Sequence, residues 1–219
     1  MSNLQHAQAL HRALERRLAP LMSANGWHAD PTANLGVADG VVGLFRHPLN
    51  EDFAATAWFA WVGDFPPLKV DSVIGVSYER SYQVWPYLLR GYPHSEFRVR
   101  PQDFMQTPPF VEFWELDEID EAASRLVQPV LDRALAWAEP FASTEALLAA
   151  LRSWTDAGVE MMDIPVVLAA SGKIGEARET LVAAMAAHRE QATELRMDDF
   201  KLRFEAWAGA GAPPTPPGG

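Results

Sequence analysis

The apolar positions at the start of the chain repeat with the period of an α-helix. Leu10, Leu14, Leu18 and Leu21 are spaced by four, four and three residues, so they share one helix face. The Asn25-Gly26 pair that follows is typical of the end of a helix. These features predict a first helix over residues 4–22.

The next part of the chain favours strands. Residues 41–45, 54–62, 70–78 and 96–100 are rich in β-branched and aromatic residues, and Asp39-Gly40 is typical of a hairpin turn. Segment 54–62 is apolar on both faces, which predicts a central strand. Segment 70–78 alternates apolar and polar residues, which predicts a half-buried strand. Residues 82–89 fit either a short helix or another strand.

From residue 116 onward the apolar period changes to that of a helix. Helices are predicted over 119–139, 144–154, 163–170, 174–195 and 197–207. Ser143 or Thr144 would cap the second of these, and Pro129 would kink or divide the first. A helix, then antiparallel strands, then helices predict an α+β fold rather than alternating βαβ units.

This order of elements also predicts how the chain is organised. We expect an α+β domain over residues 1–155 and a helical extension over 156–207 that packs on it. Residues 208–219 contain only Gly, Ala, Pro and one Thr. A segment of that composition has no side chains with which to form a core, so we expect a disordered tail.

Composition is typical of a soluble globular protein: of 219 residues, 48% are hydrophobic and 21% are charged. Because the chain has no cysteine, disulfides, thiol nucleophiles and Cys-ligated metals are excluded. The first residues lack the apolar segment of a secretory signal, and the longest near-apolar stretch, Ala54 to Gly63, is too short to span a bilayer. We expect a bacterial cytoplasmic protein outside the membrane.

Negative charge is concentrated in the second half of the chain. Residues 1–104 carry a net charge of −1, whereas residues 105–219 carry −10. An acidic surface repels phosphate backbones, which argues against nucleic-acid binding. It attracts basic proteins and accelerates their association. The simpler interpretation is that the acidity only increases solubility.

Motifs for catalysis and cofactor binding are missing, since the chain lacks GxGxxG, GxxxxGK[ST] and HExxH patterns. Ser77 lies in an incomplete nucleophile-elbow sequence and is interpreted as a polar position on a strand. His6 and His11 fall on different helix faces, and His28 with Asp30 forms only a pair of candidate ligands, interpreted as solvated loop residues. We predict no catalytic residue, no cofactor and no metal site.

The most unusual segment, residues 112–121, contains six carboxylates and no Lys or Arg. Its candidate binding residues are Glu112, Phe113, Trp114, Glu115, Asp117, Glu118, Asp120 and Glu121. The carboxylates could form an acidic first helical turn stabilised by the helix dipole. They could instead form a docking strip for a basic protein, anchored by Phe113 and Trp114. A divalent-cation site is the third interpretation, although no Gly-punctuated loop of the EF-hand kind is present.

A different function would use the aromatic residues of the strand region. The chain has eight tryptophans, and Trp58, Trp61, Tyr78 and Trp85 could line a groove for a small ligand or substrate. Most of these side chains should instead lie in the core, because aromatic residues dominate core packing.

Two stretches resemble known families. Leu14 to Trp27 (LERRLAPLMSANGW) resembles the L-x-P-x-x-x-x-x-G-F/W opening of a bacterial family of unknown function, and residues 127–131 and 143–151 are similar to its closing part. The resemblance implies a helix, an antiparallel sheet and closing helices, and some similar small proteins are immunity partners of toxins. Residues 168–181 resemble part of one tetratricopeptide unit, and we interpret them as a single helical hairpin.

Together, these features favour a non-enzymatic protein-binding module, immunity-like in its sharpest form. Its acidic surface would bind a basic protein partner, with residues 112–121 making the first contact. The alternative is an enzyme or small-ligand binder that uses the aromatic groove. The sequence leaves the oligomeric state open.

Overall fold

The structure, a computed structural model, describes residues 3–30, 41–61, 67–82, 84–88, 97–99, 111–154 and 156–213. The chain forms two compact units whose segments alternate along the sequence. Unit 1 comprises Met1–Leu49, Ala55–Gly75 and Arg98–Glu139, and unit 2 comprises Asn50–Ala54, Val76–Phe97 and Pro140–Gly219. The predicted domains 1–155 and 156–207 stay a prediction, since the units are drawn from other segments.

The described strands form one six-stranded sheet in the order β1-β2-β3-β4-β5, with β6 beside β4. The strands are β1 (His28–Ala29), β2 (Val41–Pro48), β3 (Phe53–Trp61), β4 (Leu68–Tyr78), β5 (Phe97–Val99) and β6 (Val111–Phe113). Helix α1 (Asn3–Ser23) precedes the sheet. The predicted hairpin turn at Asp39-Gly40 lies outside the described residues.

The described residues that follow β4 are mainly helical. They are α2 (Glu79–Tyr82), α3 (Trp85–Leu88), α4 (Ile119–Ala138), α5 (Thr144–Arg152), α6 (Ile164–Ala170), α7 (Ile174–Ala187), α8 (Arg189–Glu194) and α9 (Met197–Gly209). A 3₁₀ turn at Leu116–Glu118 leads into α4. The predicted α+β fold, with a helix, an antiparallel sheet and a helical C-terminal part, is confirmed.

Helix α1 buries one face in unit 1, where it contacts α4 and β2. The buried residues are Ala7, Leu10, Leu14, Leu18 and Met22. The prediction was right for three of its four leucines but wrong for Leu21, which is only partly buried. Residues three and four positions after Leu18 both lie near the buried face, and the packing of α4 and β2 selects the second.

Helix α4 is continuous from Ile119 to Ala138, so Pro129 does not divide it. Proline removes one backbone donor, but the residues on both sides of this position hold the helix to the core. Val127 and Val130 are both buried. Burial of this face therefore offsets the missing hydrogen bond.

Strand β4 is buried on both faces, which corrects the prediction of a half-buried strand. Asp71 and Ser77, on the face predicted to be polar and exposed, are buried together with Val70 and Ile74. The strand has β3 on one side and β5 and β6 on the other. Strand β3 lies between β2 and β4, as its two apolar faces predicted.

Unit 2 is built around a helical hairpin formed by α6 and α7. Every residue of α6 is buried, and α7 buries Ala177 and Leu181. Gly172 in the turn has φ +86°, a conformation that favours glycine. The predicted helical hairpin is confirmed. Its second helix was predicted over 174–195, but α7 ends at Ala187 and a separate helix, α8, begins at Arg189.

The remaining helices of unit 2 show capping and aromatic packing. Ser143 caps α5, because its hydroxyl accepts a hydrogen bond of 3.2 Å from the backbone N–H of Ala146. In the ambiguous segment 82–89, Tyr82 ends α2, Val84 lies in a turn and residues 85–88 form α3. Within it, Trp85 is fully buried and its ring stacks on Phe200 of α9 at 6.5 Å.

The end of the chain is described as far as Pro213, within the predicted disordered tail. Ala208 is buried in the last turn of α9. The indole N–H of Trp207 donates a hydrogen bond of 2.7 Å to the carbonyl of Pro213. The first six residues of the predicted tail therefore have defined positions, and residues 214–219 lie outside the described residues. None of the helices in the described ranges is long and apolar enough to cross a membrane.

Candidate functional site

The acidic segment begins in unit 1 on strand β6. Leu68 of β4 lies opposite Phe113 and Lys69 lies opposite Glu112. Because side chains alternate along a strand, Glu112 points to solvent and Phe113 points to the core. Phe113 is only 1% exposed. Its predicted role as an anchor for a partner is therefore wrong, since a buried ring is not accessible for docking.

The exposed apolar residues of the segment are Trp114 and Leu116. Trp114 is 50% exposed and Leu116 is 53% exposed. Trp114 was among the predicted binding residues, whereas Leu116 was not. Strand alternation could not reveal Leu116, because β6 ends at Phe113 and Leu116 begins the 3₁₀ turn.

The turn that carries these two side chains is braced by Glu118. One oxygen of its carboxylate, Oε2, accepts hydrogen bonds from the backbone N–H groups of Trp114 at 2.6 Å and Glu115 at 2.8 Å. These two backbone donors favour the ionised carboxylate and lower the pKa of Glu118. The carboxylate of Glu118 is thus committed to the turn.

A third hydrogen bond fixes the same turn from helix α1. The ring nitrogen Nε2 of His6 donates to the backbone carbonyl of Trp114 at 2.8 Å. The backbone of Trp114 is therefore held on both its N–H side and its carbonyl side. These contacts preorganise the backbone that carries the Trp114 side chain.

Two other carboxylates of the segment are neutralised by cations from distant parts of the chain. Glu112 pairs with Lys69 of β4 at 2.9 Å, and Asp120 pairs with Arg17 of α1 at 2.8 Å. The four side chains are 35–73% exposed, so solvent screens each pair and it contributes little to stability. Their main effect is to cancel charge at these two positions.

Glu115, Asp117 and Glu121 remain as exposed carboxylates. Within the part of the chain that the structure describes, no Lys or Arg forms an ion pair with them. Asp117 and Glu121 are four residues apart, so they lie one helical turn from each other. We call the set Trp114, Glu115, Leu116, Asp117 and Glu121 the acidic surface.

The carboxylates of residues 112–121 do not converge on one point. In the described ranges, no three His, Asp or Glu side chains lie close enough together to hold one. Glu112 and Asp120 are occupied by ion pairs, and the side chains of Glu115 and Glu118 form a reciprocal capping box with the backbone of the turn. The divalent-cation interpretation of residues 112–121 therefore has no support in the geometry.

The other residues considered for chemistry lie in structural environments. His11 is buried, and its Nε2 lies 3.1 Å from the carbonyl of Val41. Ser77 is fully buried in β4. His28 is exposed, whereas the neighbouring Asp30 is buried and lies 3.6 Å from Nε of Arg46. These contacts explain the residues as parts of the fold.

Two of the four aromatic residues predicted to line a groove in the alternative function lie in the core. Tyr78 and Trp85 are both buried. Tyr78 stacks on Phe53 at 5.0 Å, and burial raises the pKa of its hydroxyl. Trp58 is partly buried, and the side chain of Trp61 lies outside the described residues. Tyr78 and Trp85 therefore cannot line an open groove.

Two clefts lie among the described residues of unit 2. One, of about 310 Å³, is lined by Arg80, by the end of α6 and by Gly211 and Ala212. Its walls are mainly small residues, and the guanidinium of Arg80 lies 3.5 Å from Asp52. The second cleft, of about 300 Å³, is bordered by α7, α8 and α9.

Comparison with protein-family models, with curated proteins and with solved structures finds no match to this chain. The resemblance of residues 14–27 to a family of unknown function therefore stays a prediction. Any assignment of function depends on the geometry of the chain itself.

Proposed function

We propose that this chain is a non-enzymatic cytoplasmic binding protein that docks a basic protein partner on its acidic surface. One observation carries the proposal. Trp114 and Leu116 are half-exposed on a hydrogen-bonded turn, next to three carboxylates that no described cation neutralises.

The parts of the acidic surface contribute to the free energy of binding in different ways. Tryptophan is enriched among the residues that dominate interface energies, because it buries a large area with few rotatable bonds. The brace from Glu118 and His6 reduces the conformational entropy lost on binding, since the turn is already ordered. The carboxylates attract a cationic partner and reject acidic ones.

The charge distribution indicates the kind of partner. With residues 105–219 at a net charge of −10, a basic surface is attracted from a distance. In the sharpest form of the proposal, the partner is a basic toxin or nuclease, and this chain inhibits it by occupying the surface that would bind phosphate. The resemblance to a family with immunity-like relatives agrees with that form.

The test compares capture by three immobilised forms of the full chain. The first is the wild type, and the second carries Glu115→Gln, Asp117→Asn and Glu121→Gln. The third is a matched control with Glu51→Gln, Glu139→Gln and Glu179→Gln, which neutralises three exposed carboxylates elsewhere. Proteins retained from a lysate of the source organism at low and high salt are identified by mass spectrometry, and the recovered protein is then titrated in purified form.

The proposal expects one basic protein that the wild type and the control retain at low salt and release at high salt. The triple substitution in the acidic surface should weaken its binding by about tenfold or more. A partner that binds this variant as tightly as the wild type would exclude the acidic surface as the docking site. If a folded Trp114→Ala variant binds the partner with undiminished affinity, Trp114 does not anchor the partner.

A further inference from the structure

The peptide group between Trp114 and Glu115 is held at both of its polar ends. Its carbonyl oxygen accepts the 2.8 Å hydrogen bond from Nε2 of His6, and its N–H donates the 2.8 Å hydrogen bond to the carboxylate of Glu118. Resonance joins the oxygen and the N–H of a peptide in one planar group. His6 and Glu118 therefore act on the same peptide plane, which begins at the Cα atom of Trp114.

The two hydrogen bonds polarise this peptide in the same direction, so each strengthens the other. The effect increases when the donor is a cation and the acceptor is an anion, because charge-assisted hydrogen bonds are about twice as strong as neutral ones. Glu118 supplies the anion, since two backbone donors lower its pKa. The charge at the other end of the peptide depends on whether His6 is protonated.

Protonation changes the donor that His6 presents to the carbonyl oxygen. A neutral imidazole has a hydrogen on only one of its ring nitrogens, so it donates from Nε2 in one tautomer and not in the other. An imidazolium has a hydrogen on both nitrogens and always donates from Nε2. Histidine side chains change their charge between about pH 5 and 8. The hydrogen bond to the carbonyl of Trp114 should therefore strengthen as the pH falls through that range.

The charged groups near His6 on the turn and at the start of α4 are carboxylates. His6 and Arg17 are eleven residues apart on α1, about three helical turns, so they lie on one face of the helix. Arg17 pairs with Asp120 on this face. The other carboxylates of the turn and of the first turn of α4 are Glu115, Asp117, Glu118 and Glu121. Residues 3–10 of α1 contain no charged or titratable side chain besides His6.

Helix α1 contacts strands β1 and β2 through a different face. Nε2 of His11 lies 3.1 Å from the carbonyl of Val41 there. His11 follows His6 by five residues, so the two rings point in different directions from the helix. The charged or titratable groups of the two strands are His28, Arg46 and His47.

We propose that His6 is a pH-responsive positioning residue of the acidic surface. Protonation of its ring fixes the peptide between Trp114 and Glu115 against Glu118, and the fixed turn holds the indole of Trp114 in place for a partner. A lower pH then slows the dissociation of a bound partner, since the anchor acts after contact. This control of docking rests on the proposed function, whereas the coupling of His6 to the peptide is a property of the free chain.

The coupling is tested in the free chain by nuclear magnetic resonance. The backbone amide of Glu115 and the indole N–H of Trp114 are followed in the isotope-labelled full chain from about pH 8 to about pH 5.5, the range in which histidine gains its charge. We expect both resonances to move with pH in the wild type. His6→Gln keeps a side-chain donor but cannot titrate, so its resonances should move much less. His28→Gln, the matched removal of an exposed histidine on β1, should respond like the wild type.

The same variants test the control of docking with the partner recovered by capture. Surface-plasmon resonance measures dissociation at both pH values. The wild type and His28→Gln should release the partner about threefold more slowly at the lower pH, as expected for a charge-assisted hydrogen bond. His6→Gln should lack this change, and His6→Ala, which has no donor, should release the partner faster than His6→Gln. Titration of the partner affects all variants alike, so the difference between the wild type and His6→Gln is the result.

The two measurements separate failure of this proposal from failure of the proposed function. An amide resonance of Glu115 that moves equally in the wild type and in His6→Gln would overturn the coupling, whatever the chain binds. Equal pH dependence of dissociation in these two proteins would overturn the control of docking and leave the proposed function intact. A partner that binds the triple carboxylate variant as tightly as the wild type would overturn the proposed function and the control of docking together, even where the amide responds to His6.

Discussion

At the scale of single residues, the six carboxylates of residues 112–121 differ only in their surroundings. Glu118 holds backbone N–H groups, while Glu112 and Asp120 are paired with cations from β4 and α1. The sequence places all six on one short segment. It does not show which of them are occupied, because Lys69 and Arg17 come from distant positions. The division into structural and available carboxylates is a property of the folded chain.

The capping role of Glu118 makes a prediction about pH. The pKa of Glu118 is lowered in the folded chain, relative to about 4.3 for an unfolded glutamate. Its contribution to stability is therefore full above the unfolded pKa, and it is lost as the pH falls through the lower, folded pKa. Glu118→Gln should be less stable than the wild type at neutral pH, and the difference should disappear in acid. Urea unfolding over a pH series measures this.

The control for that measurement is Glu179→Gln. Glu179 is an exposed carboxylate in the middle of α7. Its removal should leave the free energy of unfolding close to the wild-type value at neutral pH. If Glu118→Gln shows no larger effect than Glu179→Gln at any pH, the cap does not stabilise the turn.

At the scale of elements, helix α1 offers a matched pair of leucines. Leu14 is fully buried and Leu21 is partly exposed, although the apolar period treats them alike. Leu14→Ala should lower the free energy of unfolding by about 2–5 kcal/mol, because it removes buried methyl groups and leaves a cavity. Leu21→Ala should cost clearly less. Denaturant unfolding of both variants gives the comparison, and equal losses would contradict the assigned helix face.

The fold class was predictable because its signals are local. The change from strand to helix periodicity near residue 116 and the cap at Ser143 both lie within short stretches of sequence. The predictions that failed concern residues that are buried by segments distant in the sequence. Strand β4 has neighbours on both sides, Phe113 lies opposite Leu68, and Pro129 is held in a helix by its buried neighbours. No window of sequence contains those contacts.

At the scale of the whole molecule, the charge asymmetry predicts how association depends on salt. Residues 105–219 carry a net charge of −10, and the acidic surface in unit 1 has three carboxylates that no described cation pairs. Binding of a basic partner there should depend strongly on ionic strength, because dissolved ions screen exposed charges over a Debye length of about 8 Å in physiological salt.

Kinetics with the partner recovered by capture should therefore separate the roles of the carboxylates and the tryptophan. Raising the salt concentration should slow association with the wild type and change dissociation little, since long-range attraction acts on the approach of the two proteins. The Glu115→Gln, Asp117→Asn, Glu121→Gln variant should associate slowly at low salt and approach the wild type at high salt. Trp114→Ala should instead dissociate about tenfold faster or more, because the anchor acts after contact. Stopped-flow association and surface-plasmon dissociation measure the two rates. Equal salt slopes for the wild type and the triple variant would show that these three carboxylates do not steer the partner.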